Sequence, residues 1–187
     1  MYHIKEDKRC IRSAKLIGDA LQNLLETKPF MEITVSDIQR ESGVGRSTFY
    51  RLFDNVDDVV TYLMDELVKM IVRDFGDEPM SEFTKACLNG VIEGDTKLLN
   101  IITDGRTDLL LRPFRNGLFE LYRNADEQKL KEVYYSAAIF AGACTTIIRT
   151  WAENGRHESV DELEQLLEKY MDFDSFAALS SGNEILK

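Results

Sequence analysis

Apolar residues recur at three- and four-residue steps along nearly the whole chain, and no stretch alternates apolar with polar residues between hairpin turns. The pattern predicts an all-α protein. Cys10, Ala14, Ile17, Leu21, Leu24 and Leu25 make one apolar stripe on a helix over about 7–27, which Pro29 ends. Thr34 stands three residues before Asp37, a cap pair that opens a helix of about two turns through Ile38 to Ser42. Gly43 then offers the left-handed residue that a tight helix-to-helix turn requires. A second short helix, Arg46–Leu52, has Phe49 and Phe53 four apart on its inner side, so its other side chains must face outward. Asn55 with Asp58 repeats the cap and opens a long helix to about Phe75. Val59, Leu63, Leu67 and Ile71 line it, with Val60, Met64 and Met70 close to the same face.

Further helices are expected near 80–92, 95–103 and 108–124, broken at Gly94, Gly105 and Asn124, with a kink or break at Pro113. The longest helix covers 127–153 and stops at Asn154-Gly155. Ser159 with Glu162 caps a last helix carrying Leu163, Leu166, Leu167, Tyr170 and Met171. There is no internal repeat.

Composition narrows the class. With 187 residues, 44% apolar and only 3 prolines, the chain can bury a sizeable core, which excludes disordered and low-complexity classes. The longest weakly polar run, 136–148, is too short for the ~20 residues of a membrane span, and the first fifteen residues hold no secretory apolar core. A cytoplasmic protein with no membrane association is expected. Cys10, Cys87 and Cys144 are widely spaced and read as reduced, mostly buried thiols, while His3 and His157 are scant material for a metal or triad site. No cofactor and no metal is expected. Net charge is −10, which alone argues against a nucleic-acid partner. The charge is uneven, however: residues 1–54 carry nine Lys/Arg against eight Asp/Glu, and residues 55–187 carry fourteen against twenty-five. A polyanion would meet the first quarter.

Two short helices joined by a Gly-containing turn and packed on a longer one define a helix-turn-helix unit, whose second helix fits the major groove. Its leading outward residues are Arg46, Ser47 and Thr48, followed by Tyr50 and Arg51. Arg46 can bind guanine bidentately, Thr48 can offer a hydroxyl or a methyl, and Tyr50 suits a phosphate. In sequence, Ile33-Thr34-Val35-Ser36-Asp37-Ile38 followed by Ser42-Gly43-Val44-Gly45-Arg46-Ser47-Thr48-Phe49-Tyr50-Arg51-Leu52-Phe53 resembles the DNA-binding signature of the TetR family of transcriptional regulators. The resemblance spans 10–60. It implies a three-helix DNA-binding domain at 1–54 and a helical ligand-binding and dimerisation domain at 55–187, closed into a homodimer by the last two helices. A weaker resemblance over 134–170, through Ile147-Ile148-Arg149-Thr150-Trp151, Asn154-Gly155 and Ser159 to Leu167, is to the subgroup associated with dihydroxyacetone kinase operons.

Carried over by position, Arg46, Ser47 and Thr48 would approach bases, Tyr50 the backbone and Arg51 either, while Thr34 would cap its helix beside a phosphate. Two departures stand out. Val56 holds the place where the family usually has a phosphate-binding lysine, with Asp57 and Asp58 adding negative charge, so weaker or more salt-sensitive operator binding is expected. Gly45 replaces the Ser that often caps the reading helix, at a cost of only a few tenths of a kcal/mol. Compensation is expected from Lys5, Lys8, Arg9 and Arg12, with Lys8 and Arg9 the candidates for phosphate contact.

For the interface of two copies, the small-residue pattern of the longest helix and the last leucine stripe point to Ala137, Ala138, Ala141, Thr145, Ile148, Trp151, Leu163, Leu167 and Tyr170. Candidates for a small-molecule effector pocket are Met64, Phe83, Cys87, Phe114, Phe119, Tyr122 and Phe140. The partners implied are double-stranded DNA with a pseudo-palindromic operator, a second copy and an effector. The most concrete function is a repressor released from its operator by that effector. The alternative is an adaptor of the same fold acting through a protein partner. An enzyme fares badly: Gly43-Val44-Gly45-Arg46-Ser47-Thr48 looks like a phosphate loop, but Arg40 stands where the loop needs Gly, and Arg replaces Lys.

Overall fold

The computed structural model describes residues 1–94, 97–121 and 127–174. Among them the chain is helical throughout, with no strand. Helix α1, Lys8–Leu25, starts where Asp7 accepts the Arg9 N–H at 2.7 Å, and it buries Ala14, Ile17, Leu21 and Leu25. A 3-10 turn, Phe30–Glu32, leads to α2, Val35–Ser42. Gly43, at φ 68°, makes the reversal to α3, Arg46–Leu52, and a side chain there would strain the turn. Helix α4, Val56–Phe75, is capped by Asn55, which accepts the Asp58 N–H at 3.0 Å. Then come α5, Met80–Ile92, α6, Leu98–Thr103, α7, Asp108–Leu121, α8, Glu127–Glu153, and α9, Val160–Tyr170, whose start carries the expected Ser159–Glu162 capping box.

Helix α4 is the centre of the molecule, packed against α1, α5 and α7, while α7 backs onto α8 and α5 onto α9. Val59, Val60, Met64, Leu67, Val68 and Ile71 are its buried face. Met70, read from sequence as close to that face, is 47% exposed, because it stands a full helical step around from Ile71. Between α4 and α7 the backbones approach so closely that a Cβ on Gly117 would lie 2.0 Å from Val68 Cγ1. Of the kink or break expected at Pro113, the break is absent: α7 continues past it. Pro113 is the sixth residue of the helix, so it forfeits one ladder bond, and buried Leu110, Phe114 and Leu118 hold both halves in the core.

Two polar joints tie α1 to α3 to the rest. Arg106 bonds both carboxylate oxygens of Asp57, at 3.0 and 2.8 Å, while also gripping Asp108 at 3.0 Å and lying over the Phe30 ring. Beside it, Asp104 accepts the Phe30 N–H, and the Asn100 amide donates to the Leu25 carbonyl at 2.9 Å. On the other side the His3 N–H donates to the Leu52 carbonyl at 2.8 Å. Tyr2 packs against Phe53 and Tyr62 and donates its hydroxyl to Asp65 at 2.8 Å. Burial pushes the Asp65 carboxyl upward.

Candidate nucleic-acid interface

The outward side of α3 is fixed from beneath. Phe49 and Leu52 are fully buried and Val44 nearly so, which anchors a helix of only two turns through its inner side. Arg46, Ser47, Tyr50 and Arg51 consequently project outward and are exposed, and Thr48 is half-buried. Arg46 has no ion-pair partner among the described residues; its guanidinium lies 5.4 Å from the centroid of the Tyr50 ring. Lys8 and Arg9 are exposed on the first turn of α1; Lys5 before the helix and Arg12 on its second turn are exposed too.

Thr34 is engaged within the chain. Its hydroxyl donates to Asp37 at 2.7 Å and accepts the Asp37 N–H at 3.2 Å, and its own N–H donates to the same carboxylate at 3.0 Å. Both donors are therefore used in the capping box, leaving none for a phosphate. Asp37 also draws in Lys28 at 2.8 Å and Arg40 at 2.7 Å, and these bonds, the lysine's foremost, hold its carboxyl well below the usual range.

Val56 is half-buried and offers no charge. The negative charge expected beside it is engaged within the chain: Arg106 pairs with Asp57 as well as Asp108, and buried Asp58 accepts the Asp54 N–H at 2.9 Å and pairs with the Met1 ammonium at 2.8 Å. Arg106 is the residue that the sequence reading did not single out, and no local pattern marks it, since its partner lies 49 positions away.

Of the residues expected between two copies, Ala137, Ala141, Thr145, Ile148, Trp151, Leu163 and Leu167 are buried within one chain, so they have almost no area left to give to a second. Ala138 and Tyr170 are exposed. The uncovered stripe lies one position along, at Tyr135, Ala138, Ile139 and Thr146 on α8 with Leu166 and Tyr170 on α9, and Ile139 is 61% exposed. The pocket candidates Met64, Phe83, Cys87, Phe114 and Phe140 are tightly buried core, Phe83 and Phe140 with ring centroids 6.0 Å apart; Phe119 is half-buried. Tyr122 lies outside the described residues. A polar groove of about 220 Å³ on the outer side of α1, lined by Asp19, Gln22, Asn23, Glu26 and Lys97, contains none of them. Burial pushes both the Cys87 and Cys144 thiols up, the opposite of what a redox-sensing thiolate needs. No described helix is long and apolar enough to cross a membrane.

No protein-family model matches the chain. Over 58 residues it is 43% identical to the HTH-type transcriptional regulator EthR of Mycolicibacterium smegmatis, spanning 31% of this chain and 26% of that protein. Over 70 residues it is 27% identical to the HTH-type dhaKLM operon transcriptional activator DhaS of Lactococcus lactis, 37% of either chain. Both matches thus span well under two thirds of those relatives. Among solved structures, the dihydroxyacetone kinase operon activator DhaS superposes with a TM-score of 0.53 at 18% identity, covering 95% of this chain and 99% of that one. The TetR family repressor AlkX from Dietzia sp. gives 0.58 at 17% identity, covering 92% and 97%. With a helix-turn-helix sequence similar to those of known regulators over part of its length, the chain shares the fold of TetR-family regulators along almost all of it.

Proposed function

We propose that the chain is a DNA-binding transcription regulator that acts as a homodimer, each protomer laying α3 in the major groove of a pseudo-palindromic operator. The observation that carries this reading is the outer side of α3, where Arg46, Ser47, Tyr50 and Arg51 are exposed on a helix anchored by buried Phe49 and Leu52. Arg46 supplies the bidentate donors for guanine, Ser47 and Thr48 hydroxyl contacts, and Tyr50 with the cations of the first turn of α1 holds phosphates. The exposed stripe of α8 and α9 supports an isologous pairing that sets two α3 helices roughly 34 Å apart, the spacing of successive major grooves.

An effector acts by favouring a dimer with a different spacing, to the extent of its differential affinity for the two forms. Helix α4 is the element that both units share, since Tyr2 bonds its Asp65 from the N-terminal side, while Arg106 bonds its Asp57 and Gly117 seats it on α7. Release of a repressor is the primary mode. Activation through a protein partner is the second, supported by the likeness to the activator DhaS and by the acidity of residues 55–187.

The test is in vitro selection of duplexes followed by titration of substituted chains. Arg46→Ala is expected to cost about 1 to 3 kcal/mol on the selected duplex and to erase its preference over a scrambled one, whereas Tyr50→Phe weakens both alike. Equal losses on both duplexes for Arg46→Ala remove it from the readers.

A further inference from the structure

We infer that the ring of Tyr50 is a platform that aims the Arg46 guanidinium at a base, a specificity role separate from any phosphate bond of its hydroxyl; this rests on reading α3 as the DNA-facing helix.

The geometry comes from three residues of one short helix. Tyr50 follows Arg46 by four positions, and a helical side chain leans back over the turn preceding its own Cα, which brings the ring to the guanidinium. The cation sits 5.4 Å from the ring centroid. The ring is itself held, because it meets Phe49 edge to face at 5.5 Å and an interplanar angle of 81°, and Phe49 is fully buried. Core packing therefore fixes the platform, and the platform restrains a side chain that no carboxylate among the described residues ties down.

The chemistry of the two contacts is compatible. Stacking engages the face of the guanidinium, while bidentate recognition of guanine O6 and N7 uses N–H groups around its edge. An arginine stacked on one face keeps its edge free, and less rotamer freedom is lost when it reaches the base. Among the described residues Arg51 lies over no ring, so the two exposed arginines of α3 are not equivalent: Arg46 is restrained by Tyr50, and Arg51 has no such restraint.

Two measurements test the role. In the free protein, NMR should place the Arg46 δ-methylene protons upfield, under the ring current, in the native chain and in Tyr50→Phe, and at their ordinary position in Tyr50→Leu or Tyr50→Met. Either of those two keeps apolar bulk against Phe49. On DNA, the affinity ratio between the selected and scrambled duplexes should be kept by Tyr50→Phe, although both affinities fall. Tyr50→Leu and Tyr50→Met should lower the ratio by about three- to fivefold, the size of an exposed cation–π contact. In an Arg46→Ala background they should change it no further. Equal ratios for Tyr50→Phe and Tyr50→Leu, or Arg46 protons indifferent to the ring, overturn the inference and leave the DNA reading standing. A native chain that binds neither duplex at low salt fails the DNA reading, and the specificity role with it.

Discussion

Asp57 and Val56 together set the electrostatics at the start of α4. Val56 offers no cation where the resemblance implies a phosphate-binding lysine, and of the two aspartates beside it Asp57 pairs with Arg106 and Asp58 with the Met1 ammonium. The deficit is thus one missing cation rather than a surplus of anions. Val56→Lys should tighten binding to every duplex and steepen the slope of log affinity against log salt by about 0.9 per protomer, or about 1.8 per dimer. Titrations between low and moderate salt measure it, from a native slope near about −7 if eight phosphates are neutralised. An unchanged slope means that α4 does not approach the backbone. Asp37 gives a pH test. Its folded carboxyl is held low by Lys28, Thr34 and Arg40, so its contribution is complete above the ordinary carboxylate range and is lost as pH falls through the folded value. Asp37→Asn should therefore lower Tm at neutral pH, and the gap to the native chain should close under strong acid. Local punctuation made α2, the turn and α3 legible: the Thr34–Asp37 box, Gly43, and the Phe49 spacing each act within four residues. The Arg106–Asp57 bond is a product of tertiary packing and has no such signature.

Element boundaries followed the same division. Caps that satisfy helix ends through near neighbours fell where the sequence placed them, at Thr34, Asn55 and Ser159. Pro113 did not break its helix because the core held it, which local propensity does not encode. On α8, periodicity identified the face of Ala137, Ala141, Thr145 and Ile148 without saying whether the same chain or another covers it. The close seat of α7 on α4 makes Gly117→Ala destabilising by about 1 to 3 kcal/mol in denaturant unfolding, through overpacking against Val68. Glu164 on α9 is buried with no partner for Oε1 among the described residues, and burial, then Glu168, raises its pKa, with Lys85 opposing and Glu82 and Asp161 adding to the rise. A raised folded value means that stability is retained below the ordinary carboxylate pKa and lost as pH climbs through the folded one. Glu164→Gln should accordingly stabilise the chain at neutral pH, and the gain should vanish in acid. A gain independent of pH would assign the effect to packing alone.

At the scale of the molecule, exposed cations stand on α1 and α3, and α8 with α9 carries the exposed apolar group Tyr134, Tyr135, Ile139, Leu166 and Tyr170. Such a distribution fits a protein that meets a polyanion at one end and its own copy at the other. Ile139→Glu, at the middle of the uncovered stripe, should shift the chain from dimer to monomer by sedimentation and reduce operator affinity while leaving Tm of the protomer nearly unchanged. The most direct check of α3 as the reader is methylation interference at guanine N7 on a selected duplex. Two symmetric interference sites about 10 base pairs apart, both lost with Arg46→Ala, are the expected result. Interference that survives Arg46→Ala unchanged, or none with the native chain, would contradict it.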